Sequence, residues 1–337
     1  MLNLMTSAEA THIDPAHNDP AHGDLAHGGL GPTGIVVDHV GRSFGQVHAV
    51  RDASFIADPG TVTGLIGPNG SGKTTLMLML ASLLKPDTGS IRISGHDPVT
   101  ETAVVRSRLG WMPDVLGSWS SLSVRNTLIY TAQMYRIDKV AAATRAAELI
   151  ALVDLPELAD SPTRVLSRGQ KQRLSLARAL VHDPDVLLLD EPASGLDPVA
   201  RAALRNLVRR LASEGKTLLV SSHVLSELDE MADGAVYISQ GVTASAEALA
   251  RSRASARPWR IRSSDVVALR AALIAGGIEE AAIETDRADL IVALEGEAAA
   301  SALLARLVAA GVAISTFAPA VGDLEHAFID LSLGEVK

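Results

Sequence analysis

The run Gly67-Pro68-Asn69-Gly70-Ser71-Gly72-Lys73-Thr74-Thr75 decides the reading of this chain. It fits the pattern Gly, four residues, Gly-Lys-Ser/Thr. The apolar run Val62 to Ile66 precedes it and the helix-patterned segment Thr75 to Leu84 follows. That is the strand–loop–helix setting of a phosphate-binding loop. Glycines let the backbone curl until successive N–H groups point inward at an anion. The helix behind adds the positive end of its dipole. In this setting Lys73 reaches the β- and γ-phosphates and the Thr74 hydroxyl takes one Mg²⁺ position. The plainer reading, a Gly-rich turn before an ordinary helix, leaves the order of strand, loop and helix unexplained.

Working outward, 337 residues suffice for two domains, each with its own core. A formal net charge of -9 argues against a broad nucleic-acid surface. The strongly apolar run Thr74 to Leu84 falls far short of the ~20 residues of a membrane-spanning helix. No charged region followed by an apolar stretch opens the chain, so no secretory signal is expected. The absence of cysteine removes disulfides, thiolate catalysis and Cys-type zinc sites, and is compatible with the cytoplasm.

Residues 1–33 read as a disordered His-rich tail. His12, His17, His22 and His27 recur every fifth residue amid Asp, Pro, Ala and Gly, a period that gives the imidazoles no common face. A solvated extension is the plain reading, and weak Zn²⁺ or Ni²⁺ binding the sharper one. From Gly34, Ile35 to Val40 and Ala53 to Ile56 read as strands, with Phe44 between them. Residues 115–165 are mainly helical by pattern, through Val124 to Tyr135 and Val140 to Val153. A helix from Lys171 to Val181 follows. Val186 to Leu189 and Thr217 to Val220 are solid apolar runs, as expected of parallel strands covered on both faces. Strands alternating with helices imply a parallel α/β core. Residues 247–256 read as a linker. Beyond it residues 257–337 read as a small α+β C-terminal domain, in the order β-α-β-β-α-β as far as Phe317, with no catalytic constellation.

The chemistry concentrates in the α/β part. Asp190 ends a buried strand, where its carboxylate can hold Mg²⁺ through water. Glu191 follows, placed to orient or deprotonate an attacking water. Leu166-Ser167-Arg168-Gly169-Gln170 sets a serine and a glycine at a helix N-terminus, a second anion-binding end. Two such ends in one chain make sense if they face each other across a dimer, with ATP between.

With these motifs in this order, the stretch from Ile35 to Ala246 resembles the ATP-binding subunits of ABC transporters. The resemblance implies a P-loop NTPase core with an antiparallel β subdomain and a helical subdomain, over residues 34–246. It makes Gly67 to Thr75 the Walker A motif, Val186 to Asp190 Walker B and Glu191 the catalytic glutamate. Ser167, Gly169 and Gln170 become the signature motif that binds the γ-phosphate of ATP held by the opposite subunit. Ser194-Gly195-Leu196-Asp197 becomes the loop that couples the two sites. His223 falls at the switch-histidine position, and Phe44 where an aromatic lies under adenine. Two departures stand out: Arg168 replaces the first glycine of the commoner signature, and Asp114, near the metal, stands where glutamine is usual. The segment Val321 to Phe328 resembles the end of ATPase subunits that serve separately encoded export permeases. Together these imply an ATPase using ATP and Mg²⁺ as a self-dimer, peripheral on the inner face of the cell membrane. It would drive export through an integral membrane permease, with no nucleic acid among its partners. A soluble ABC-type ATPase acting on ribosomes or DNA is the alternative; its relatives carry tandem modules or an inserted coiled coil, which this chain lacks. A small-molecule kinase is a third reading, opposed by the Ser167 motif.

Overall fold

A computed structural model describes residues 34–334 except 116, 118, 223 and 246–254. The His-rich segment, His223 and most of the linker therefore lie outside the described residues. The larger sheet has nine strands in the order β4-β1-β2-β9-β8-β3-β7-β6-β5. These are β1 (Ile35–Phe44), β2 (Val47–Ala57), β3 (Val62–Ile66), β4 (Thr88–Ile93), β5 (Leu109–Met112), β6 (Val186–Asp190), β7 (Thr217–Ser221), β8 (Gly234–Ser239) and β9 (Val242–Thr243). Strands β5, β6, β7, β3 and β8 run parallel. β1 pairs antiparallel with both β2 and β4. Every residue of β3, β6 and β7 is buried, as strands covered on both faces must be.

Helix α1 (Lys73–Leu80) begins two residues earlier than its apolar pattern suggests and stops four sooner. Its end has a local cause. Ser82 adopts a left-handed φ of 59°. Leu83 N–H then donates to Leu78 O at 2.9 Å and Ser82 N–H to Met79 O at 3.2 Å, the paired bonds that close a helix C-terminus. α2 (Thr102–Arg108), α3 (Val124–Met134) and α4 (Lys139–Leu152) follow. α5 (Arg168–Ala179) starts three residues before the Lys171 of the pattern, because Ser167 and Gln170 form a capping box. α6 (Pro198–Ser213) opens on its proline, with Asp197 as N-cap, and α7 (Leu225–Asp229) is short.

The smaller sheet is antiparallel, in the order β11-β12-β10-β13. It comprises β10 (Ala256–Ser263), β11 (Glu284–Asp286), β12 (Asp289–Glu295) and β13 (Ile314–Pro319). Helices α8 (Val266–Ala275) and α9 (Gly296–Ala309) complete the β-α-β-β-α-β order. Trp259, Ile261, Leu269, Leu273, Leu290, Val292, Leu303 and Leu307 form its core. The chain then returns. α10 (Asp323–Gly334) lays Leu324, Ala327 and Phe328 on the core of the larger sheet. The Asp229 carboxylate accepts from Leu324 N–H at 2.8 Å, so α7 caps the incoming helix.

Candidate functional site

The loop after β3 is shaped by two glycines. A side chain on Gly67 would run into Ile238 O of β8 and the Ser71 hydroxyl, and one on Gly72 into Ala49 O of β2. Gly72 also holds φ at 108°, which only glycine adopts without strain. Pro68, Asn69 and Gly70 form an exposed rim, and Thr74 and Thr75 open α1. Lys73 folds back over the loop, its Nζ donating to Gly67 O at 2.7 Å and Pro68 O at 3.1 Å. Burial lowers its pKa, while the charges of Glu191 and Asp190 act in the opposite direction. Ser71 Oγ is buried with no protein partner. An orphaned hydroxyl inside a loop curled by glycines fits a phosphate group.

Asp190 closes β6, buried, and its register partner on β7 is Ser221. Ser221 Oγ donates to Asp190 Oδ1 at 2.5 Å. Burial pushes the Asp190 pKa up. The Ser221 hydrogen bond opposes this, the Asp114 charge adds to it, and Lys73 opposes it again. Asp114, exposed just beyond β5, thus lies within electrostatic reach of Asp190. Glu191 breaks the strand alternation with a left-handed φ of 51°. Its N–H donates to Ser221 O at 3.1 Å and lies 3.2 Å from Ser221 Oγ. Its carbonyl accepts from Gln172 Nε2 at 2.7 Å. Among the described residues no three His, Cys, Asp or Glu side chains gather as a cation cage. The Thr74 hydroxyl and Asp190 offer oxygen ligands, and Mg²⁺, which keeps waters and shares substrate phosphates, suits such a sparse set.

Ser167, Gly169 and Gln170 lie at the tip of α5. Ser167 Oγ accepts from Gln170 N–H at 3.2 Å, and Ser167 N–H donates to Gln170 Oε1 at 2.8 Å. No hydrogen bond or ion pair between described residues joins Ser167–Gln170 to Gly67–Thr75. Phe44, at the end of β1, is 48% exposed, with the Arg42 guanidinium 4.9 Å from its ring centroid. The hairpin that carries it meets the Gly67–Thr75 loop at Ala49.

Sequence reading passed over Ser221 and Gln172. Ser221 is a serine at the end of a buried apolar run, and only the pairing of β6 with β7 sets it opposite Asp190. Gln172 is a polar residue in a helix interior, 2% exposed.

A sequence profile of the family described as ABC transporter matches residues 50–194. The chain is 38% identical over 209 residues to the daunorubicin resistance ATP-binding protein DrrA3 of Streptomyces coeruleorubidus, taking in 62% of this chain and 66% of the relative. It is 37% identical over 207 residues to Nod factor export ATP-binding protein I of Paraburkholderia xenovorans, 61% of this chain and 68% of that one. With the ABC transporter ATP-binding protein NatA of Bacillus subtilis the identity is 35% over 196 residues, 58% and 80% of the two chains. Among solved structures, an ATP-binding subunit of an ABC transporter superposes with a TM-score of 0.60 at 25% identity, over 65% of this chain and 92% of its own. A dimeric ATP-binding cassette in a post-hydrolysis state with ADP and Pi gives 0.58 at 22%, over 63% and 97%, and is alike in fold.

Proposed function

The chain belongs to the family of ABC transporter ATP-binding proteins, and on that premise we propose that it is the ATP-hydrolysing subunit of an exporter. Two copies would bind two Mg-ATP at a shared interface and drive a separate membrane permease. One observation carries the shared site. Lys73 of the Gly67–Thr75 loop lies within electrostatic reach of Asp190 and Glu191, whereas no hydrogen bond or ion pair between described residues joins Ser167–Gln170 to that loop. A second copy supplies the missing half.

In this reading the loop N–H groups and Lys73 hold the β- and γ-phosphates. Glu191 orients the attacking water and takes its proton as the new O–P bond forms. The bond from the γ-phosphorus to the β,γ-bridging oxygen breaks, leaving ADP and inorganic phosphate. Thr74 and, through water, Asp190 would hold Mg²⁺, with Asp114 nearby; bound there, the ion neutralises charge developing on the phosphate oxygens. Ser167 and the α5 N-terminus would meet the γ-phosphate of the partner's ATP.

No helix among the described residues is long and apolar enough to cross a membrane. One surface supports a permease as partner. A cavity of about 710 Å³ opens beside the exposed Trp119 and Met134, edged by Tyr135, Arg106, Arg136 and Arg178. Exposed aromatic and apolar side chains within an arginine rim suit a protein partner. Export, rather than import, follows the relatives named for resistance and for Nod factor export.

The test is Glu191→Gln. The variant should bind Mg-ATP, turn over very slowly, and elute as a dimer when loaded. A variant that stays monomeric at saturating Mg-ATP overturns the shared site.

A further inference from the structure

Arg168 stands where the resemblance leads one to expect glycine, and its side chain makes specific contacts. Its Nη2 donates to Ser194 Oγ at 2.7 Å. Its stem lies on Gly195: a Cβ there would meet Arg168 Cδ at 2.8 Å, Nε at 2.9 Å and Cγ at 3.1 Å. Gly195 holds φ at 76°, so its conformation and its bareness both make room for the arginine. At the next residue, a Cβ on Gly169 would sit 3.4 Å from both Gly195 O and Leu196 Cδ2. One turn further along α5, the buried Gln172 amide grips Glu191 O at 2.7 Å. The segment between is a tight chain of turns, with Ser194 N–H on Glu191 O and Leu196 N–H on Ala193 O, each 3.1 Å. Glu191 through Leu196 is thus held by α5 at both ends. Among the described residues Arg168 has no carboxylate partner. Its guanidinium is committed to a neutral hydroxyl.

We propose that Arg168 is a positioning residue that ties the Ser167 tip to the Ser194–Asp197 loop within one chain. Engagement of Ser167 by the partner's ATP then shifts the segment that begins at this chain's own Glu191. The coupling of the two sites is what the resemblance implies for the Ser194–Asp197 loop; the Arg168 tie is the link through which, in this chain, occupancy of one site reaches it. This role rests on the shared-site reading.

The experiment measures steady-state ATPase against Mg-ATP concentration for Arg168→Ala, Ser194→Ala, the double variant and Arg168→Lys, with circular dichroism checking the fold. Arg168→Ala should lower kcat about fivefold, leave the half-saturating ATP concentration nearly unchanged, and bring the Hill coefficient down to one. Ser194→Ala should do the same, and the double variant should be no worse than either single change, since both remove one contact. Arg168→Lys should recover part of the kcat. Glu191→Gln separates the two ideas. If it dimerises with Mg-ATP while the Arg168 and Ser194 effects multiply, or while the Hill coefficient stays put, the role of Arg168 is wrong. If it stays monomeric, the shared site fails and the coupling fails with it.

Discussion

Replacing Ser221 by alanine tests whether Asp190 is held ready for a metal. The hydroxyl is fully buried and donates to Asp190 Oδ1 at 2.5 Å. A hydrogen bond to an ionised group contributes about 1.5–3 kcal/mol. Removing it leaves burial and the Asp114 charge less opposed, so the Asp190 carboxyl is driven further up and is freer to turn. Glu191 N–H keeps the Ser221 carbonyl at 3.1 Å, so the change creates no orphaned donor there. The loss should therefore fall on the metal-dependent part of binding. Converted to an equilibrium, Mg-ATP affinity drops by about one to two decades. ATP binding in EDTA, which the proposed reading assigns to the loop N–H groups and Lys73, should change by about threefold or less. Isothermal titration with and without Mg²⁺ reads both numbers, and the circular dichroism spectrum confirms the fold. If the two affinities fall together, or neither moves in a folded protein, Ser221 does not position Asp190 and the reasoning is refuted.

Two further outcomes can be measured directly. Asp114→Gln removes a like charge from beside Asp190 and should keep the ATPase rate; a loss of about tenfold in kcat would show that the acid has a role of its own. In the smaller sheet, Arg262 at 2.6 and 2.9 Å and Arg260 at 2.8 Å hold the Asp289 carboxyl well below the ordinary carboxylate range. A depressed folded pKa means stability that is present above about pH 4, the ordinary value, and drains away as pH falls below it. Asp289→Asn should weaken that core at neutral pH and flatten the acid limb of its unfolding, followed by hydrogen exchange in β10 and β12; an unchanged acid limb would remove Asp289 from the account.

What the sequence makes legible is what local chemistry compels. A phosphate loop needs residues such as Gly72 at a φ of 108°, so its glycines stand in the chain at fixed spacing. The runs Val62–Ile66 and Val186–Leu189 are apolar throughout because both faces are covered. Elements whose stability comes from partners are harder to see. β1 and β2 extend well past their apolar centres because pairing from Ile35↔Ala57 to Phe44↔Val47 carries polar residues along. β8 pairs with β3, and α10 packs Ala327, Leu324 and Phe328 on a core assembled from distant residues. The same division runs through the site. Lys73, Asp190, Glu191 and Ser167 belong to motifs with their own spacing. Ser221 and Gln172, which hold two of them, do not, and the link between Arg168 and Ser194 joins two motifs, neither of which announces it. Ser221 lies 31 positions from Asp190, Gln172 lies 19 from Glu191, and Arg168 lies 26 from Ser194. Each link is a product of strand register or helix placement, and no pattern within either segment announces it. A change at Ser221 or Gln172 leaves the recognisable motifs intact while removing a hydrogen bond to Asp190 or Glu191. The predicted losses at Ser221 and Arg168 are therefore smaller than that at Glu191, yet they arise where no sequence motif by itself marks the contact.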